Sequence, residues 1–362
     1  MRQLRLSIVG FGTVGRWVAA AIHRRRSWLK AQCGVELSLV GVATRRDGFL
    51  CRDRGFDIPT LLAANGGPVA HQTGTHRFGT AIEGVARAES DLLIEASNTN
   101  PREPEPALSH IRQALERGMH VVTSSKGACA AAALELAALA GRHGVQCRME
   151  STVMSGTPVL STIREGLAGA RILALRGVLN GTANHVLTCM AEGLEYRAAL
   201  ADAQARGYAE PDPSDDVDGH DAVAKARILA AVAFGRTIPL DQVVRRGIAE
   251  TTVNDVHRAA RDGCRLKLVA SIRPWAVGER ALLPSSPLEV RVEPLAVPLT
   301  DPLSRIDGVM NALTVETDTV PTVTIIGPGA GLEQAGQGAF ADLIAILRGQ
   351  SIDAPHGNTV PI

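Results

Sequence analysis

Short unbroken apolar runs alternate with stretches in which apolar residues recur at helical spacing, over roughly the first 150 residues. The first run, "LRLSIVG", reads as a buried strand, and "FGTVGRWVAAAIHRR" follows it as a turn and an amphipathic helix. Further strands are predicted at "VELSLVGVA", "SDLLIEAS" (90–97), "HVVTSS" (120–125) and "VQCRM" (145–149). Helical patterns lie between them, at "EPALSHIRQALERG" and "CAAAALELAALAGRHG". Strands alternating with helices predict a parallel, doubly wound sheet with helices on both faces. Past residue 150 the pattern changes. "ARILALRGVLN" reads as a strand, and "GTANHVLTCMAEG" and "YRAALADAQARG" as helices. "RLKLVASI" and "LEVRVEPLAV" alternate like antiparallel strands. Near the end, "TVTIIGPGAGLEQAGQGAFADLIAIL" is a strand, a glycine turn and a long helix.

The fold class expected is therefore α/β, a Rossmann-like doubly wound sheet joined to a second domain of α+β type. Boundaries are expected at 1–149 for a dinucleotide-binding domain and 150–318 for the second domain. A strand and helix over 319–362 are expected to return to the first. The first turn supplies Gly10-x-Gly12-x-x-Gly15 between strand and helix. In that setting the glycines permit a tight turn, let backbone N–H groups approach a pyrophosphate, and seat the helix against the strand. Thr13 and Val14 complete this phosphate-facing turn. The tip of the second strand carries Thr44, Arg45 and Arg46 where NAD-binding versions place an acid. Arginine there suits a 2′-phosphate, so NADP(H) is expected over NAD(H), with NAD(H) still open. Ligands in such sheets sit outside the C-terminal strand ends. That location puts the loop Asn98-Thr99-Asn100-Pro101 and the loop Ser124-Ser125-Lys126-Gly127 beside the cofactor. Gly329, in the late glycine turn, joins the same expected set.

Composition narrows the class. The net charge is +1, which argues against a protein built to grip nucleic acid or an anionic membrane. No apolar run approaches the ~18–20 residues that span a bilayer. The N-terminus runs straight into a strand and has no signal-peptide pattern. Six cysteines stand singly, with no CxxC pair, and read as reduced thiols of a cytoplasmic protein. Of 38 basic residues only Lys30, Lys126, Lys225 and Lys267 are lysines. Arginine cannot give up its proton at accessible pH and a buried lysine can, so each of the four is a candidate for proton handling.

The stretch "EPDPSDDVDGHDAVAK", Glu210 to Lys225, packs six carboxylates ahead of one of those lysines. A calcium loop of EF-hand type, aligned on Gly219, would put Ser214 at its opening ligand and Lys225 where the bidentate glutamate belongs, so it is excluded. Zinc is excluded for want of a His/Cys cluster with ligand spacing. The remaining reading is a helix capped by Asp218, with Asp221 in its first turn and Lys225 four residues on along the same face. The residues after it are apolar almost all round, so the helix is expected to be buried. That pair is either an ordinary helix ion pair or a tuned acid/base site. Another helix opens at Asn180-Gly181-Thr182 and offers free N–H groups to a carboxylate.

"GFGTVG", "SSKG", "NGTANHVL" and above all "RGYAEPDPSDDVDGHDAVAKARILA" resemble homoserine dehydrogenase. "DPLSRIDGVMNAL" and "GPGAGLEQAGQGAFADL" match its C-terminal pattern, and the likeness spans essentially the whole chain. The resemblance implies interconversion of L-homoserine and L-aspartate 4-semialdehyde with a nicotinamide cofactor, on the route to threonine and methionine. It implies that Lys225 handles the proton of the hydroxyl or aldehyde oxygen, with Lys126 nearby as a second catalytic lysine. Asp221 would hold the substrate's amino group, assisted by Asp216 and Glu210, with Gly181, Thr182 and Tyr208 in the pocket. It implies a monovalent cation, Na+, held by backbone carbonyls in the turn of Glu150, Val153, Ser155 and Thr157, although "VMSGTP" is poorer in glycine than the usual form. It implies a homodimer made through the second domain's sheet. Relatives with a C-terminal regulatory domain bind threonine; this sequence ends at Ile362, so little threonine inhibition through such a domain is expected. The competing readings are another dehydrogenase of a small amino or hydroxy acid, a non-catalytic dinucleotide sensor, and a metal-binding module on the acidic loop.

Overall fold

A computed structural model describes residues 2–63, 73–97, 100–275 and 286–349. The chain divides into two compact units, one built on Met1–Gly156 with the helix that follows Gly331, the other on Thr157–Ala330.

In the first unit the strands are β1 (Arg2–Val9), β2 (Val35–Thr44), β3 (Gly48–Cys51), β4 (His76–Phe78), β5 (Leu92–Glu95), β6 (His120–Thr123) and β7 (Cys147–Arg148). Their order across the sheet is β4-β3-β2-β1-β5-β6-β7. The run from β2 to β7 is parallel, as expected. β1 shows why its sequence is so apolar: it lies between β2 and β5, and from Leu6 onward it is fully buried. The edge differs from expectation. β3 and β4 run antiparallel, continuing β2 as a meander. Only three residues separate β2 from β3, far short of the dozen or so that a parallel crossover needs. The turn is locked by Thr44 and Asp47: the Asp47 N–H donates to the Thr44 hydroxyl, which donates on to the Asp47 carboxylate, both at 2.9 Å.

The second unit holds β8 (Ile172–Val178), β9 (Val243–Arg245), β10 (Cys264–Pro274), β11 (Leu288–Pro298), β12 (Met310–Thr317) and β13 (Thr322–Pro328). They form a sheet of order β13-β12-β8-β10-β11-β9, in which β10 and β11 pair antiparallel over their whole length. The apolar helix expected after the acidic loop runs His220–Phe234, and all but His220 and Arg227 are buried. It ends at Gly235, whose φ of 64° is the left-handed conformation that glycine adopts at little cost.

Three further expectations are corrected. The last strand does not return to the first domain. β13 pairs antiparallel with β12 from Met310 opposite Pro328 to Glu316 opposite Thr322, so only the helix Leu332–Leu347 joins the first unit. There Gly336 lies against Trp17, and Phe340 meets the Trp17 ring edge-on at 6.4 Å between centroids. The boundaries fall at Gly156 and Ala330 rather than at 149 and 318. Asp218 is also not the cap of the buried helix. It closes a short preceding helix, Ser214–Val217, and Gly219 at φ 83° makes the turn into His220 without any side-chain cap. A left-handed residue at that corner favours glycine.

Candidate active site

In the first unit the expected cofactor residues gather at the C-terminal ends of the parallel strands. Gly10 follows β1 with φ 89°, and a Cβ there would sit 2.3 Å from the Ala96 backbone just past β5. Gly15 is pressed on the Gly10 carbonyl, where a Cβ would come to 2.4 Å. Gly12 is different. It caps the helix Thr13–Arg24, and nothing lies within 4 Å of where its Cβ would be. Two of the glycines are thus explained by packing, whereas the third leaves open space above a helix N-terminus, the place where a pyrophosphate fits. Thr13 is exposed and Val14 half-buried at that opening. Thr44, Arg45 and Arg46 form the tip of β2, and both arginines are exposed. Ser124 follows β6, and Lys126 is the half-buried first residue of the helix Lys126–Arg142 rather than part of a loop. Gly127 lets the 100–103 segment close onto this helix start, since a Cβ would meet the Asn100 and Glu103 carbonyls at 2.4 and 2.2 Å. Pro101 is buried there. Asn98 and Thr99 lie outside the described residues.

In the second unit the acidic loop, the helix Gly181–Ala191 and the helix His220–Phe234 meet at one side chain that the sequence reading did not single out, Asn180. Its amide oxygen caps its own helix by accepting the Ala183 N–H at 2.8 Å. Its amide nitrogen donates to Asp216 at 2.7 Å and to Asp221 at 3.0 Å. Asp221 then pairs with Lys225, Nζ to Oδ2 at 2.8 Å, and the Lys225 ammonium also donates to the Leu179 carbonyl at 2.6 Å. Lys225 is only 5% exposed and Asp221 4%, so this is no surface helix pair. Desolvating two charges costs several kcal/mol each, so burial of this kind needs the further hydrogen bonds that Asn180 and Leu179 supply. Burial pushes the Asp216 carboxyl above the usual aspartate range, and the neighbouring Asp221 charge adds to it; the Asn180 bond pulls the other way. Thr182 is buried, and its hydroxyl donates to the Tyr208 carbonyl at 2.7 Å, tying the start of the acidic loop to the same helix end. A Cβ on Gly181 would come 2.7 Å from the Val309 carbonyl. Tyr208 and Glu210 are exposed on the loop, and the Glu210 carbonyl accepts from Gln204 at 3.2 Å.

The other expected positions are less coherent. Gly329 lies in the second unit, where a Cβ would strike the Asn311 side chain at 2.2 Å. Of the cation residues, Glu150, Val153 and Ser155 belong to the first unit and Thr157 opens the second. Met154 and Ser155 hold left-handed φ of 55° and 54°, costly for non-glycine residues. The Glu150 carbonyl accepts the Val153 N–H at 3.3 Å, and the Ser155 carbonyl packs against Gly338. Scarcity alone does not mark a proton-handling lysine: Lys30 is exposed, Lys126 half-buried, and Lys225 and Lys267 buried. Lys267 is structural, held by Asn184 at 3.1 Å, by the Ile306 carbonyl, and by Asp307 at 3.2 Å.

A dinucleotide-binding sheet in one unit and a buried lysine–carboxylate site in the other define a nicotinamide-dependent dehydrogenase of two domains. The described residues include no helix long and apolar enough to cross a membrane. Residues 10–150 match the family model for the homoserine dehydrogenase NAD-binding domain, and 158–344 match the homoserine dehydrogenase domain itself. A relative from Pseudomonas canavaninivorans, named an NAD(+)-dependent homoserine dehydrogenase, is 37% identical over 98% of this chain and 99% of its own. A homoserine dehydrogenase from Sulfurisphaera tokodaii is 34% identical over 95% of this chain and 99% of its own. A solved hyperthermophilic archaeal homoserine dehydrogenase, in complex with NADPH, superposes with a TM-score of 0.78 at 30% identity, covering 95% of this chain and 97% of that one. The chain belongs to the homoserine dehydrogenase family, NAD(P)-dependent oxidoreductases acting on a CH–OH group.

Proposed function

We propose that the chain interconverts L-homoserine and L-aspartate 4-semialdehyde, as a step towards threonine and methionine, with NADP(H) as the preferred cofactor. The observation that carries the site assignment is the buried Lys225–Asp221 pair, braced by Asn180 and Leu179. Two of the three ammonium donors of Lys225 are engaged by described residues, which leaves one for a substrate oxygen. In the reducing direction Lys225 gives its proton to the aldehyde oxygen; in the oxidising direction the neutral amine takes the hydroxyl proton. The bound nicotinamide supplies or accepts the hydride. Asp221 holds Lys225 in place and, with Asp216 and Glu210, faces the substrate's ammonium group. The free N–H groups at Gly181 and Thr182 suit its carboxylate. Lys126, first in its helix, is the second lysine assigned to this chemistry, and the open face of Gly12 suits the pyrophosphate.

Arg45 and Arg46, exposed at the tip of β2, support the NADP(H) preference. The Pseudomonas relative's name supports the opposite reading for this chain, NAD(+), and steady-state assays with homoserine against NADP and NAD in parallel separate the two. The strained Met154–Ser155 turn supports a Na+ site, while the packed Ser155 carbonyl counts against it. Equal activity in sodium and tetramethylammonium chloride would remove it. Six free cysteines support a reducing, cytoplasmic setting. For the homodimer, the support is a polar row in register across the second sheet: Arg291, Ser271, Arg176, Thr314 and Thr324. Light scattering on the purified chain tests it, a monomer at micromolar concentration being the contrary result.

A further inference from the structure

The helices Gly181–Ala191 and Tyr196–Ala205 run one after the other, and a cluster lies between them that takes no part in the chemistry above. His185 and Cys189 stand four residues apart on one helix and so share a face. Asp202 reaches the same point from the next helix. His185 Nε2 is 2.8 Å from Asp202 Oδ2 and 3.5 Å from Cys189 Sγ, and Cys189 Sγ is 4.0 Å from Asp202 Oδ2. Bond lengths of ~2.0–2.3 Å at tetrahedral angles put the ligand atoms of a zinc ion ~3.3–3.6 Å apart. The three observed separations lie within about half an ångström of those edges. No such cluster has ligand spacing along the sequence. The fold makes one by pairing an i,i+4 couple with a residue thirteen positions beyond the cysteine.

We propose that His185, Cys189 and Asp202 bind one Zn2+, with water in the fourth position, and that the ion pins the two helices together. One nitrogen, one sulfur and one oxygen donor select a borderline ion such as Zn2+ over Mg2+ or Ca2+. The groups facing the cluster agree with a ligand role. Arg206 donates to the Asp202 carboxylate from outside the cluster. The ion replaces the His185–Asp202 hydrogen bond and leaves Arg206, at 2.7 Å, as the carboxylate's outer partner. His185 is buried, and the Tyr208 ring packs against it edge-on at 5.1 Å. Cys189 binds a metal as the thiolate, so binding releases that thiol's proton to solvent and tightens as pH rises.

The test titrates the tag-free, chelator-stripped full chain with Co2+ and then displaces it with Zn2+. The expected result is one Co2+ per chain, a thiolate-to-cobalt charge-transfer band in the near ultraviolet, and loss of the band on adding Zn2+. Cys189→Ser abolishes the band while the other five cysteines remain. His185→Gln and Asp202→Asn weaken binding by at least ~10–100-fold, the loss typical of even an outer partner. Zn2+ raises the melting temperature of the wild type and not of Cys189→Ser, whose melt without metal shows that it folds. No thiolate band, a band that survives in Cys189→Ser, or an equal thermal shift with Mg2+ would each overturn the proposal.

Discussion

Replacing Lys225 by arginine separates charge from proton transfer. Arginine keeps the cation that Asp221 needs at 2.8 Å and can still donate to the Leu179 carbonyl, but it cannot release a proton at accessible pH. The helix around it is buried on nearly every side, so the larger guanidinium must push on its neighbours, at about 1–3 kcal/mol. In a unit of this size that is a fall in melting temperature of roughly 2–12 °C. Methionine is the contrasting variant. It fits by volume but leaves Asp221 buried without its cation, a loss of about 3–5 kcal/mol. Stability alone therefore ranks arginine above methionine. Turnover should not follow that ranking: both variants should lose the ~10²–10⁴-fold typical of a general acid/base, or ~2.7–5.5 kcal/mol of barrier. The assay is steady-state homoserine oxidation read by cofactor absorbance, with cofactor affinity measured by fluorescence quenching and folding by thermal melts. Cofactor affinity should stay near wild type, because the phosphate-facing turn is in the other unit. A Lys225→Arg enzyme with near wild-type turnover would refute the proton-transfer role. So would a turnover loss that rises and falls with the melting temperature across the two variants.

Gly12→Ala should fold normally and bind cofactor more weakly, since its Cβ enters open space; Gly15→Ala should lower the melting temperature, since its Cβ meets the Gly10 carbonyl at 2.4 Å. If both behave alike in binding and melting, the reading of the turn fails. Arg45→Ala with Arg46→Ala should raise the KM for NADP at least tenfold, about 1.4 kcal/mol, and leave that for NAD unchanged; unchanged NADP kinetics would favour an NAD enzyme. Asp216, raised by burial and then by Asp221, should put the acid limb of kcat/KM above the ordinary aspartate range. Because its folded pKa lies above the unfolded value, its stabilising contribution is complete below the unfolded pKa and is lost as pH rises through the folded one. Asp216→Asn should therefore remove the acid limb and melt no lower than wild type at neutral pH; a limb unmoved by the substitution would exclude Asp216 as its source.

How much of this was legible in the sequence depends on how local each feature is. Strand, glycine turn and helix lie within a few consecutive residues, and their physics is local, so β1 and its turn were readable. Asp221 and Lys225 are four apart on one helix, and their pairing follows from the helical repeat alone. The failures come where a neighbour in space decides. Asp218 looks like a cap until the chain reverses at Gly219. β13 looks like a returning strand until β12 takes it as a partner. The three residues between β2 and β3 rule out a parallel crossover, but the apolar run in "GFLC" gave no sign that a strand was there.

Asn180 shows what that distinction costs a functional reading. As sequence it is only a good residue to begin a helix, and substitution by alanine at such a cap usually costs ~1 kcal/mol. In the fold the same amide group holds two carboxylates, from a short helix and a long one, that lie dozens of positions downstream. Asn180→Asp separates these two jobs. An aspartate can still accept the Ala183 N–H, so the cap survives. It has no N–H to donate, and it sets a third carboxylate beside Asp216 and Asp221. Like charges at that range favour protonation of one of them. The variant should fold, lose substrate affinity more than cofactor affinity, and recover part of its activity as pH falls. Activity lost equally at every pH, with the melt unchanged, would mean that Asn180 acts by contact with the substrate and not by holding the two acids.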